Sequence, residues 1–249
     1  MQTRKRFYTG AGVRPHREGY EITLVTPQGV HAHDGKPVRT PLGLPLVLPT
    51  EVLAAAIAAE WEAQKTEIIP ATMPLTQIAN TAIDRVRANR ESVRAGVVAY
   101  GRSDLLCQRA EAPAPLVLRQ EERWGPLLDW AAECLGARLV LGRGVMPVAQ
   151  PSDAMAALES AVADLDDWML AVAGVVAATS GSLVLALAVV KGRVGGEEVF
   201  TLAALDEIWQ NEQWGEDREA AARRDAIAAE LAAAARFVNL LGGPHLALT

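Results

Sequence analysis

An α+β fold is predicted: a small N-terminal antiparallel β domain over residues 1–49, then a larger, mainly α-helical, bundle-like domain over 50–249 with a few short strands. Two observations along the chain and one of composition carry this. Up to Pro49 apolar residues alternate, as in half-buried strands, and from Thr50 onward they recur at helical spacing. The chain is 50% hydrophobic but only 5% aromatic, so Ala, Leu and Val must fill most of the core, which suits closely approaching helices. Its 249 residues suffice for one large core or two modest ones.

Between Phe7 and Val47 the pattern is of short strands and turns. Tyr20, Ile22, Leu24 and Thr26 alternate with Glu21, Thr23 and Val25; Pro27-Gln28-Gly29 marks a turn; Asp34-Gly35 is a hairpin signal before Lys36-Pro37-Val38-Arg39. Thr50 then reads as a helix N-cap with Glu51 in the first turn, and Leu53, Ile57, Trp61 and Gln64 form a stripe ending in an indole. Pro70 and Pro74 bracket a connector. A second amphipathic helix carries Leu75, Ile78, Ala79, Ala82 and Val86 on one side, with Asn80 and Asp84 elsewhere on its surface.

Leu105-Leu106-Cys107 and Leu139-Val140-Leu141 read as short strands, and Arg123 to Leu135 as a helix with Trp124, Leu127, Leu128 and Ala131 on one face. Pro151-Ser152-Asp153 starts a helix running to about Asp167. The uncharged run Met169 to Val190 reads as one buried helix, and Gly192 to Gly196 as the turn that closes it. Thr201 to Gln213 and an Ala-rich stretch from about Glu216 to Leu241 complete the bundle. In that last helix Glu216, Asp217 and Glu219 lie near the start and Arg223 and Arg224 later, a solvated face that suits the macrodipole.

A net charge of −6 argues against nucleic-acid binding, which rests on neutralising phosphates. Cys107 and Cys134 stand apart from other ligand-type residues and read as buried, reduced thiols. MQTRKRFYTG lacks the apolar run of a secretory signal. Met169 to Val190 is long enough on paper to cross a bilayer. Its Ala and Val content, the Thr179-Ser180-Gly181-Ser182 interruption and the bordering Asp166 and Asp167 favour a core helix, so no stable membrane insertion is expected.

The search for chemistry excludes more than it finds. Gly29 to Lys36 ends like a phosphate loop, but Pro37 stands where the metal-binding hydroxyl belongs. Gly10-Ala11-Gly12 and Gly142-Arg143-Gly144 begin like dinucleotide fingerprints, but Pro15 and Pro147 stand where the last glycine belongs, so both read as turns. His31-Ala32-His33-Asp34 is a metal-like cluster that an exposed hairpin turn also explains, and His16 and His245 are remote from it. Asp166-Asp167 and Glu197-Glu198 read as solvated helix ends or turns. No catalytic residue, cofactor site or metal site is assigned. Trp61, Trp124, Trp130, Trp168, Trp209 and Trp214 fall in helical segments, where a core role competes with a place in a protein-binding surface.

Several blocks in order resemble the assembly chaperones that hold the alpha subunit of the F-type ATP synthase. They are Arg4-Lys5-Arg6-Phe7-Tyr8; Gly19-Tyr20-Glu21-Ile22 with Leu24; Lys36 to Pro41; Leu48-Pro49-Thr50 through Glu60-Trp61 and Gln64; Met73-Pro74-Leu75-Thr76 with Asn80-Thr81-Ala82-Ile83-Asp84; Trp124 to Ala131; and Leu205-Asp206-Glu207 ending in Gln213-Trp214-Gly215. The resemblance spans nearly the whole chain, and the block from Leu48 to Asp84 is its most specific part, with Trp61, Asn80 and Asp84 as its structural hallmark.

The resemblance implies a non-enzymatic chaperone that binds the unassembled alpha subunit and shields its beta-pairing surface from aggregation. The family's acidic site falls at Asp206 or Glu207, and Asp206, Glu207, Trp209 and Trp214 are the client-binding candidates. No cofactor and no nucleic-acid partner are expected. A monomer in the bacterial cytoplasm is favoured over the mitochondrial matrix, because the first recognisable block begins close to Met1. Two other readings remain: a small-molecule enzyme with a pocket between the β and helical domains, and a membrane-associated factor anchored by Met169 to Val190.

Overall fold

The computed structural model describes residues 4–26, 35–144, 148–215 and 218–242, with the side chains of 218 and 219 excepted. His31, His33, the turn at Pro27-Gln28-Gly29, the Gly29 to Lys36 loop through Asp34, Pro147, Glu216, Asp217 and His245 lie outside the described residues. Short antiparallel sheets at the N-terminus lead into a mostly helical body, the predicted α+β class.

Strand β1 (Arg4–Lys5) precedes the hairpin of β2 (Gly10–His16) and β3 (Gly19–Val25), which pair over their full length. β3 also pairs with β4 (Lys36–Pro37) and β5 (Val47–Leu48). Ile22, Leu24 and Leu48 turn into the core, and Thr23 is buried with them. Gly10-Ala11-Gly12 lies in β2, a strand where the sequence suggested a turn. Helix α1 (Glu51–Glu62) packs on β2 and β3 through Leu53, Ala54, Ile57 and Ala58. Thr50 caps it as expected, its Oγ1 accepting from Leu53 N–H at 3.3 Å.

Beyond α1, Gln64 is buried and satisfies the connector's polar groups: Oε1 accepts from Ile69 N–H at 2.8 Å, and Nε2 donates to Thr72 Oγ1 at 3.0 Å and Glu60 O at 3.1 Å. This brings β6 (Glu67–Ile68) back to pair with β1. Helix α2 (Pro74–Thr81) starts on a proline. The Glu60 carboxylate reaches its free N–H groups, accepting from Leu75 N and Thr76 N at 2.8 Å each and from Thr76 Oγ1 at 2.7 Å. The chain then widens into one π turn, Ala82–Val86, before α3 (Arg90–Ala99).

Leu105–Cys107 is a single 3₁₀ turn rather than a strand, because the Asp104 side chain accepts from Leu106 N–H at 3.0 Å and closes it. The strand follows it as β7 (Gln108–Arg109). Helix α4 (Ala114–Cys134) begins earlier than its Trp124 stripe suggested and continues through Pro126. Leu139 to Leu141 forms no strand; pairing falls to the next two residues, β8 (Gly142–Arg143), parallel to β7.

Helix α5 (Ser152–Ala163) is followed by α6 (Asp167–Ser180) and α7 (Leu183–Val190), so the uncharged run expected as one helix is two. The break has a local and a distant cause. Gly181 adopts φ 72°, a left-handed cap that glycine takes without steric cost, and the Ser182 hydroxyl then caps α7 by accepting from Leu185 N–H at 3.0 Å. From far along the chain, fully buried Asp104 accepts from Ser182 Oγ at 2.7 Å and Val184 N–H at 2.9 Å. Every residue of α7 is buried, and α4, α6, α8 (Gly196–Ala203) and α10 (Arg218–Leu240) pack around it.

Helix α9 (Leu205–Trp214) stands between α8 and α10, so the span expected as one element from Thr201 is divided at Ala204. Small residues do what the composition suggested. A Cβ built at Gly196 would sit 3.2 Å from Ala232 Cα, which is how closely α8 meets α10. Thr50 Oγ1 donates to Leu240 O at 2.6 Å and so joins the start of α1 to the end of α10. Cys107 is buried as expected, whereas Cys134, the last residue of α4, is exposed.

Candidate functional site on the α9 face

Asp206, Glu207, Trp209 and Trp214 all lie on α9, whereas Trp61, Asn80 and Asp84 lie apart from them. Asp206 and Glu207 occupy the first turn of α9, where carboxylates complement the helix dipole. The two acids are held differently. Asp206 Oδ1 accepts from Gln120 Nε2 at 2.7 Å, and Gln120 Oε1 accepts from Ala110 N–H at 2.8 Å, so one buried amide ties α9 to α4 and to the residue after β7. Glu207 approaches Arg224 of α10 at 3.9 Å, a looser pair in which the Glu207 carboxylate is 45% exposed.

At the other end of α9, Trp209 is buried and Trp214 is 75% exposed. Their rings meet edge to face at 5.8 Å and 87°, so the buried indole buttresses the exposed one. Between them, Glu212 pairs with Arg119 of α4 at 2.8 Å. A groove of about 350 Å³ runs beside these residues, lined by Arg119, Glu122, Arg123, Thr201, Leu205 and Ile208. The face thus offers one large apolar anchor, two carboxylates and flanking guanidiniums.

Under this face Trp124 is fully buried, donating from Nε1 to Leu202 O at 2.9 Å, and the Arg109 guanidinium lies over its ring at 5.3 Å. Burial pulls the Arg109 pKa below its usual value, against the opposing charges of Cys107, Glu121 and Asp206. Gln120 and Arg109 were not singled out from sequence. Gln120 did carry a signal, since it interrupts the stripe Leu116, Trp124, Leu127 and Ala131 at helical spacing and so must be a polar group on a buried face.

The hallmark residues have structural surroundings. Trp61 is half-buried at the end of α1, its ring 5.9 Å from that of Tyr8, whose hydroxyl donates to Trp61 O at 2.7 Å. Asp84 accepts from Thr40 Oγ1 at 2.6 Å and Leu42 N–H at 3.1 Å, pinning the 40–44 turn onto the π turn. Asn80 is half-buried, and its Oδ1 has no partner among the described residues. Asp166, expected as a solvated helix end, caps α6 by accepting from Met169 N–H at 2.7 Å, and Asp167 pairs with Arg90 at 2.5 Å. Among the described residues no group of three His, Cys, Asp or Glu is placed to hold a metal ion, and no helix is long and apolar enough to cross a membrane.

Residues 5–132 match the model of the ATP12 chaperone protein family. The chain belongs to the ATP12 chaperone family. The relation extends beyond the matched segment. The crystal structure of Atp12 from Paracoccus denitrificans superposes with a TM-score of 0.83 at 40% identity, covering 95% of this chain and 98% of that one. The Atu1473 protein of Agrobacterium tumefaciens superposes with a TM-score of 0.86 at 40% identity, over 96% of this chain and 87% of that one. Protein atp12 of Schizosaccharomyces pombe, a mitochondrial protein, is 23% identical over 194 residues, 73% of this chain and 67% of its own length. Membership in the ATP12 family gives the chain its role as an assembly chaperone of the ATP synthase.

Proposed function

We propose that the subunit this chaperone holds is the unassembled alpha subunit of the F-type ATP synthase, and that the α9 face takes part in holding it. The observation that carries this reading is Trp214. It is a large indole 75% exposed, braced by a buried one and set on a helix whose first turn bears Asp206 and Glu207. An exposed Trp costs little side-chain entropy on docking and removes much apolar surface from water, which is why such residues concentrate binding energy. The carboxylates add charge pairing with a basic client residue. A subunit interface awaiting its partner is large and apolar, so covering it suppresses aggregation, and release follows when the beta subunit offers better contacts.

The chaperone acts as a monomer, without a cofactor and without catalysing a reaction, in the bacterial cytoplasm. Its β part, residues 1–49, and its helical part, 50–249, are two domains of that monomer. The test is capture of separately expressed alpha subunit by Trp214→Ala and by the Asp206→Lys, Glu207→Lys double variant. Trp214→Ala should weaken capture roughly tenfold or more while changing stability by less than about 0.5 kcal/mol, as for an exposed site. The double variant also loses the Gln120 bond, so its melting falls by about 1–2 kcal/mol along with capture. Unchanged capture by both would remove the α9 face from the reading.

A further inference from the structure

A cleft of about 870 Å³ opens between α4 and the segment 138–143, with Glu122 lining both it and the smaller groove beside α9. Its walls are partly apolar, from Leu128, Leu139 and Leu141, and three guanidiniums line it, those of Arg109, Arg138 and Arg143. Leu141 is 51% exposed and its neighbour Val140 43%, so an apolar rim faces solvent beside the opening.

Arg109 differs from the other two. It is only 9% exposed, and among the described residues its guanidinium has no hydrogen bond and no carboxylate within ion-pair distance; Nε is buried without a partner. It lies over the Trp124 ring. Asp206 lies near enough to be felt electrostatically, but its Oδ1 is engaged by Gln120. Cys107 and Glu121 also act on it electrostatically, and Glu121, though exposed, lines the same cleft. A guanidinium left this way is under-satisfied: burial disfavours its charge, and its buried Nε–H lacks an acceptor among the described residues. A planar fork of donors matches a carboxylate above all.

We infer that this cleft receives a client segment that presents one carboxylate to Arg109 beside an apolar side chain packed on Leu128, Leu139 and Leu141. This deepens the alpha-subunit reading and rests on it. It places a second contact on the chaperone, opposite in sign to Asp206 and Glu207 and lined in part by the same helix, α4. Two contacts of opposite charge fix the orientation of the client as one could not. Arg138 and Arg143, both exposed, draw the acidic group toward the opening, while Glu121, Glu122 and Asp129 on α4 limit the cleft's appetite for unspecific anions.

The test uses the full chain in two forms: Arg109→Gln, and a photo-crosslinking residue in place of Leu141, which is exposed and leaves the core untouched. Alpha subunit is the probe. Arg109→Gln, confirmed as folded by its circular dichroism, should bind roughly tenfold more weakly or worse, with a shallower dependence on salt than the parent protein. The crosslink from position 141 should map to an alpha-subunit segment containing Asp or Glu. Parent-like binding by Arg109→Gln, or a crosslink from 141 that never reaches alpha while the protein still captures it, would overturn the cleft and leave the α9 face standing. Failure of the unsubstituted chain to capture alpha at all would overturn both.

Discussion

Trp61 is a residue whose surroundings fix the consequence of changing it. Its ring packs on Tyr8, and its Nε1 is buried without a partner among the described residues. Arginine there would place a charge against the Tyr8 ring and next to Arg6, whose guanidinium already lies 4.6 Å from that ring. Trp61→Arg should therefore lower unfolding stability by about 3 kcal/mol, read from urea titration. A value near zero would mean that Trp61 serves a surface. The two cysteines make the contrast between burial and exposure measurable. Burial first, and then the charge of Asp104, push the Cys107 thiol up to about 12, against the pull of Arg109, while Cys134 is exposed. A thiol reagent at pH 8 should label Cys134 alone in the native protein and both after denaturation. At this scale the sequence was partly legible. Thr50 as a cap depends on near neighbours in the chain. Gln120 and Arg109 acquire their meaning from Asp206 and Trp124 across the fold, and Cys134 is exposed although it stands seven positions after buried Leu127, at the very end of α4.

Elements with strong local signals were legible in sequence, and those defined by distant partners were not. Helices α1 and α2 follow from their stripes, the Thr50 cap and the Pro74 start. The two-residue strand β1 has no period to read, and its partner β6 lies beyond α1. The α6–α7 break was foreshadowed by Thr179-Ser180-Gly181-Ser182, but what holds it is Asp104. That carboxylate accepts from Leu106 N–H, Val184 N–H and Ser182 Oγ in a site with no solvent access. Asp104→Ala should orphan those donors and cost roughly 3 kcal/mol or more, with Asp104→Asn costing less because one acceptor oxygen remains. Equal stability of the alanine variant in a denaturant melt would show that α7 is positioned by its apolar contacts alone.

Across the whole molecule, the β hairpin lies on α1, α1 is tied to α10 by the Thr50 bond, and α10 flanks α7, so the helical body forms around one buried helix. Membership in the ATP12 family was legible from ordered blocks along the chain, because those blocks are the caps, turns and stripes that build this scaffold. Of the two surfaces proposed to meet the client, only α9 was singled out from sequence. A cleft assembled from β7, α4 and the 138–143 segment has no signature in any one stretch of sequence. Every contact proposed above presupposes that this chaperone selects the alpha subunit. The most direct measurement is co-purification of the tagged chain with alpha and with beta expressed separately, followed by addition of beta to any complex formed. Retention of alpha, no retention of beta, and displacement of alpha by beta are the predicted results. Retention of beta instead, or of neither subunit, would contradict the claim.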